Sequence, residues 1–134
     1  MKLIIWSKYL AIGIKEIDEQ HKHFIVILNS VEQKLKKGLD EKKLSDDLND
    51  LIEYARIHFT TEENYFKKWG YPFANEHMKE HEKLIVKVLK FKDKYDKGEK
   101  IMQELLNFLK DWLENHLKKH DFKYRDYFKE KGVI

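Results

Sequence analysis

The chain has no cysteine. That excludes disulfides, thiolate metal sites and a cysteine nucleophile, and leaves any metal to histidine and carboxylate donors. It has one proline, Pro72, and five glycines, so few positions can interrupt a helix. Arginine is nearly missing: apart from Arg56 and Arg125, the 27 basic residues are lysines, interspersed with 24 acidic residues to a net charge of +3. A nucleic-acid binder clusters its basic residues and uses arginine on phosphates and base edges, so no nucleic-acid partner is expected. No run approaches the roughly 20 apolar residues of a membrane span, so none is expected, and a cytoplasmic location is. The opening MKLIIWSKYLAIGI has a short apolar run, but Lys8 interrupts it and no small-x-small cleavage pattern follows; it reads as an ordered N-terminal arm.

What the chain does have is aromatic and charged residues together. Of its 134 residues, 13% are aromatic, 42% hydrophobic and 38% charged, which describes an aromatic-rich core beneath a Lys/Glu surface. That length suits a single domain over 1–134, and no repeat, linker or low-complexity segment divides it.

Glycine and proline punctuate four helical candidates, at about 18–37, 41–69, 74–97 and 99–119, with Asp18 as an N-cap of the first. Within each, apolar residues recur at spacings of four and three. The first carries Ile17, His21, Phe24, Leu28, Val31 and Leu35; the second Leu44, Leu48, Leu51, Ala55, His58, Glu62, Tyr65 and Trp69. His77, His81, Leu84, Val88, Phe91 and Tyr95 follow in the third, and Ile101, Leu105, Phe108, Trp112 and His116 in the fourth. Narrow seams of this kind, joined by short connections, predict an all-α, up-down-up-down antiparallel four-helix bundle. The tail from Asp121 to Ile134 reads as a short aromatic C-terminal helix capping one end.

Five histidines and one glutamate fall on these seams, and antiparallel packing brings all six to the same end of the bundle. A single seam histidine is ordinarily a core residue with a hydrogen-bond partner. Five imidazoles and a carboxylate at one level would be costly to bury without shared partners, and a cation satisfies them together. His77 and His81, at i and i+4, project from one helix face and can chelate one metal. His23 lies about 200° round the helix from His21 and belongs on the outer surface. After His116, helix geometry favours His120 at i+4, because Asp121 at i+5 lies about 140° off. A local π-type widening would bring Asp121 round instead, so the spacing leaves both open.

The motifs QH (Gln20, His21), HFTTEE (His58 to Glu63), HMKEH (His77 to His81) and WLENHLKKHDFKY (Trp112 to Tyr124) together resemble the hemerythrins, specifically the prokaryotic single-domain bacteriohemerythrins. The likeness spans nearly the whole chain and includes Trp6 in the arm. It implies a non-haem di-iron centre with two iron ions per chain, hydroxo- or oxo-bridged, that binds dioxygen reversibly. By motif position His77, His81 and His116 would hold one iron, His21 and His58 the other, and Glu62 and Asp121 would bridge them. The resemblance thus favours Asp121 over His120.

Five imidazoles and two bridging carboxylates give about nine metal bonds and a bridging hydroxide about two more, against about twelve for two octahedral irons. One position is left open, and the resemblance puts it on the iron with two imidazoles. Phe24, Ile25, Phe59, Trp112, Leu113 and Leu117 are the expected walls of a dry oxygen pocket, and Tyr124 and Tyr9 are candidates to bond the carboxylates or cap the site. The expected role is oxygen storage, transport or delivery by a monomer that is not an enzyme, serving an oxygen-consuming enzyme partner. The competing classes are a di-iron oxidase, a peroxide or nitric-oxide scavenger using the same ligands, and an oxygen- or iron-sensing module.

Overall fold

In a computed structural model, which describes residues 5–134, the seams fold as helices and no strand occurs among the described residues. The helices are α1 (Lys15–Lys36), α2 (Ser45–Trp69), α3 (Ala74–Asp96), α4 (Met102–His116) and α5 (Phe122–Glu130). The first four form the antiparallel bundle, in which α1 and α3 each pack on both α2 and α4. Residues 1–4 of the N-terminal arm lie outside the described residues; the remainder includes a single 3₁₀ turn, Lys8–Leu10.

Asp18 does not cap α1. The helix begins three residues earlier, and the Asp18 carboxylate reaches back to accept from the backbone N–H groups of Ile12 (2.7 Å) and Gly13 (3.2 Å). A carboxylate one turn inside a helix still faces its unpaired N-terminal end, so the same side chain that reads as a cap serves to tie down the arm. The end of α2 follows the glycine rule: Gly70 adopts φ 62°, ψ 45°, and the Tyr71 N–H turns back to the Phe66 carbonyl at 2.9 Å. That left-handed turn reverses the chain directly into the histidine-bearing start of α3.

Two apolar clusters fill the interior. One runs along the bundle through Leu28, Leu48, Val88 and Leu105; the other gathers Ile17, Phe66, Tyr71, Tyr124 and Phe128 where α5 covers the end. Glu32 on α1 and Lys110 on α4 form an ion pair at 1% and 6% exposure. Removing either charge takes a buried ion pair from the core. Glu32→Ala is therefore expected to cost about 3–5 kcal/mol in denaturant unfolding, and a paired Glu32→Leu/Lys110→Met replacement far less.

Candidate metal centre

Each bundle helix contributes donors from its seam. His21 comes from α1, His58 and Glu62 from one turn of α2, His77 and His81 from one turn of α3, and His116 from the end of α4. Asp121 arrives by a different route. The chain does not break after α4; Leu117–Asp121 forms a single π-helical turn, closed by the Phe122 N–H bonding back to the Leu117 carbonyl. The widened turn absorbs one extra residue, so i+5 replaces i+4 on the inner face. Asp121 is 1% exposed and faces the other donors. His120 is turned aside: its ring lies 5.2 Å from that of His116 and 5.9 Å from that of His77, outside both donor groups. His23 is exposed, beside Tyr54.

The seven donor-bearing residues resolve into two overlapping groups, Glu62 with His77, His81 and His116, and Glu62 with His21, His58 and Asp121. Within each group the ligand atoms lie within 4.8 Å of one another. Asp121 spans the two: Oδ1 is 3.2 Å from His77 Nε2 and 3.1 Å from His116 Nε2, while Oδ2 is 3.3 Å from His21 Nε2. Glu62 Oε1 is likewise shared, 3.3 Å from His58 Nε2 and 3.2 Å from His81 Nε2. Its other oxygen, Oε2, accepts a 2.5 Å hydrogen bond from Tyr124. Tyr9, by contrast, is 88% exposed and does not approach the cluster.

These residues fit a cation better than they fit one another. Glu62 Oε1, His81 Nε2 and Asp121 Oδ1 are buried and close to oppositely charged neighbours, yet none has a hydrogen-bond partner among the described residues. With His21 Nε2 3.0 Å from His58 Nε2 and His77 Nε2 3.1 Å from His116 Nε2, nitrogens and carboxylate oxygens crowd around shared points where a metal would satisfy several at once. Imidazole nitrogen with carboxylate oxygen is a donor set suited to iron and other first-row transition metals.

The electrostatics keep the acids charged. Burial raises the carboxyl of Glu62, but the charge of His58 and the close approach of the His58, His77 and His81 imidazoles outweigh it and hold the group well below its usual range. Burial and the charge of Glu62 raise Asp121, and His116 and His21 reverse that. Tyr124 is pushed well above the usual tyrosine range, first by burial and then by the charges of Glu62 and Asp121, so it stays a neutral donor. For His77, burial works downward but the adjacent carboxylates of Asp121 and Glu62 raise it to about 9. Its charged form thus stabilises the metal-free fold below the ordinary histidine value of about 6.5, and that contribution is lost as pH climbs through about 9. Metal-free protein is expected to melt at lower temperature at pH 9.5 than at pH 7. In metal-loaded protein, where His77 is held unprotonated, the same scan should show little of this loss.

A cavity of about 20 Å³ adjoins His21, His58, His116 and Asp121, room for about one water-sized molecule. Four of the six expected walls border it: Phe24, Phe59, Trp112 and Leu113. Ile25 and Leu117 are buried in the bundle core but do not border it, and Ala55 and Leu84 stand where further walls are needed. Both are on the seams read from sequence, one turn from His58 and His81, so proximity along the helix was the usable signal. Phe59 stacks on His81 with ring centres 3.7 Å apart, and Trp112 on His116 at 4.3 Å.

Comparison with known proteins gives a consistent picture. A family model described as the hemerythrin HHE cation binding domain matches residues 12–127. The chain is 33% identical to a bacteriohemerythrin of Stenotrophomonas maltophilia, with 96% of this chain and 84% of that protein covered. It is 34% identical to a bacteriohemerythrin of Clostridium acetobutylicum, covering 92% of this chain and all of that one. A crystal structure of wild-type hemerythrin superposes with a TM-score of 0.86 at 28% identity, over 93% of this chain and 97% of the other.

Proposed function

Because this chain belongs to the hemerythrin family, we propose that it binds dioxygen reversibly at a non-haem di-iron centre and serves in oxygen storage, transport or delivery. The observation that carries this reading is the pair of overlapping donor groups with an apolar-walled cavity against one of them. His77, His81 and His116 would hold one iron, His21 and His58 the other, and Glu62 and Asp121 would bridge. Two ferrous ions supply, when bound, the two electrons that dioxygen takes up on binding and gives back on release.

The chain's own side chains set the conditions for that exchange. Glu62 and Asp121, held as carboxylates, supply two negative charges, and on a metal the imidazoles would be neutral donors. Tyr124 keeps its proton on Glu62 Oε2 and so fixes which oxygen of Glu62 faces the imidazoles. Phe24, Phe59, Trp112 and Leu113 limit the space to a small uncharged ligand and keep bulk water out. The inner cavity, faced by His21, His58 and Asp121, leaves no room for an organic co-substrate, which favours binding over oxidation of a second molecule there.

The test is anaerobic loading with ferrous iron, a metal count per chain, then admission and removal of oxygen with the visible spectrum recorded throughout. Two irons per chain and a colour change that reverses are expected. A single iron, or irreversible oxidation that consumes an added reductant, overturns the reading.

A further inference from the structure

The two-imidazole end of the cluster carries a hydrogen-bond chain that the proposed function leaves without a role. Gln20, on α1, faces α2: its Oε1 is 2.7 Å from His58 Nδ1 and its Nε2 is 3.0 Å from Thr61 Oγ1. The Thr61 hydroxyl donates to the backbone carbonyl of Ile57 at 3.1 Å. A hydroxyl has one proton. With that proton committed to Ile57, Thr61 meets Gln20 as an acceptor, so the amide must present its N–H to Thr61 and its carbonyl to His58. A carbonyl only accepts, so His58 carries a proton on Nδ1, and Nε2, 3.3 Å from Glu62 Oε1 and 3.0 Å from His21 Nε2, is the nitrogen left to meet a cation. The Nδ1 atoms of His21, His81 and His116 have no such hydrogen bond among the described residues, although His81 Nδ1 lies 3.6 Å from Glu63 Oε1.

We propose that Gln20 is a positioning residue for the metal centre. Oriented by Thr61, it fixes the tautomer and ring angle of His58, and its neutral carbonyl sets how strongly that imidazole donates to a cation at the His21–His58 end. The partner on the far nitrogen governs the basicity of a metal-bound imidazole: a carboxylate there makes the ring electron-rich, an amide less so. Gln20 therefore keeps His58 a moderate donor, on the side where an electron must be lent and recovered. The identity of the cation rests on the di-iron reading; the tautomer does not.

The first measurement uses metal-free protein, with the imidazole nitrogens of His58 followed by nitrogen-15 NMR. The wild type should show a protonated Nδ1 held in a hydrogen bond. Gln20→Leu should lose that pattern, Thr61→Val should lose part of it, and Thr61→Ser should restore it. The second measurement titrates ferrous iron anaerobically: Gln20→Leu is expected to weaken one of the two irons about 10–100-fold and leave the other unchanged. Gln20→Glu should keep both irons and lower the midpoint potential. Retention of the wild-type tautomer and iron affinity in Gln20→Leu, with helix content unchanged, overturns the proposal. If the wild type takes fewer than two irons, the di-iron reading fails, and the metal-free NMR still decides what Gln20 does.

Discussion

Asp121→Ala is expected to abolish tight binding of the second iron, while His120→Ala leaves two irons per chain and the oxygen spectrum in place. Asp121 is the one donor that reaches both halves of the cluster with separate oxygens, Oδ1 toward His77 and His116 and Oδ2 toward His21. Its removal takes a ligand from each half and leaves the positive field of the remaining metal uncompensated. The loss should exceed the roughly 10–100-fold that follows from changing a group merely bonded to a ligand. His120 lines an outer groove with Glu80, Lys119 and the back of His116 and belongs to neither donor group. Metal analysis after gel filtration of the two variants separates the cases. A chain that keeps both irons without Asp121 and loses one without His120 would sink the proposed ligand set.

The same pair of residues shows how far the sequence could be read. Period 3.6 gives a direction for every side chain on a regular helix, and that was enough to bring four seams, five histidines and Glu62 to one level. It fails where the helix is not regular. Asp121 points inward only because Leu117–Asp121 widens by one residue, and the spacing of His116, His120 and Asp121 carries no sign of it; the motif resemblance supplied the choice. Contacts between helices are hidden for another reason. The bond from Gln20 to His58 depends on the axial register of α1 against α2, which no one-dimensional period contains. Asp18 illustrates a third limit: its composition signal, an acid near a helix start, was real, but that it accepts from Ile12 and Gly13 of the arm rather than capping the helix is settled only by the path of the arm.

Ala55→Leu and Phe59→Ala should damage oxygen binding in opposite ways. Ala55 sits on the α2 seam one turn before His58, and its single methyl leaves part of the space that the cavity of about 20 Å³ occupies. A leucine there adds three carbons against walls already made by Phe24, Leu84 and Leu113. Some repacking strain, about 1–3 kcal/mol, is expected, but none of the donors is touched. Ala55→Leu should therefore take up two irons and fail to develop the oxygen spectrum, or develop it at least about tenfold more slowly. Phe59 is 6% exposed and stacked on His81, and its ring also meets Trp112 at 5.9 Å. Phe59→Ala opens the cavity instead, at a stability cost of about 3–5 kcal/mol. Water then has access to the donors, and the oxygenated form should decay to inert ferric iron far faster than in the wild type. Iron content, the rate of colour formation and the lifetime of that colour, measured on both variants, distinguish a filled pocket from a wet one. If filling and opening leave formation and decay unchanged, oxygen does not bind against these walls.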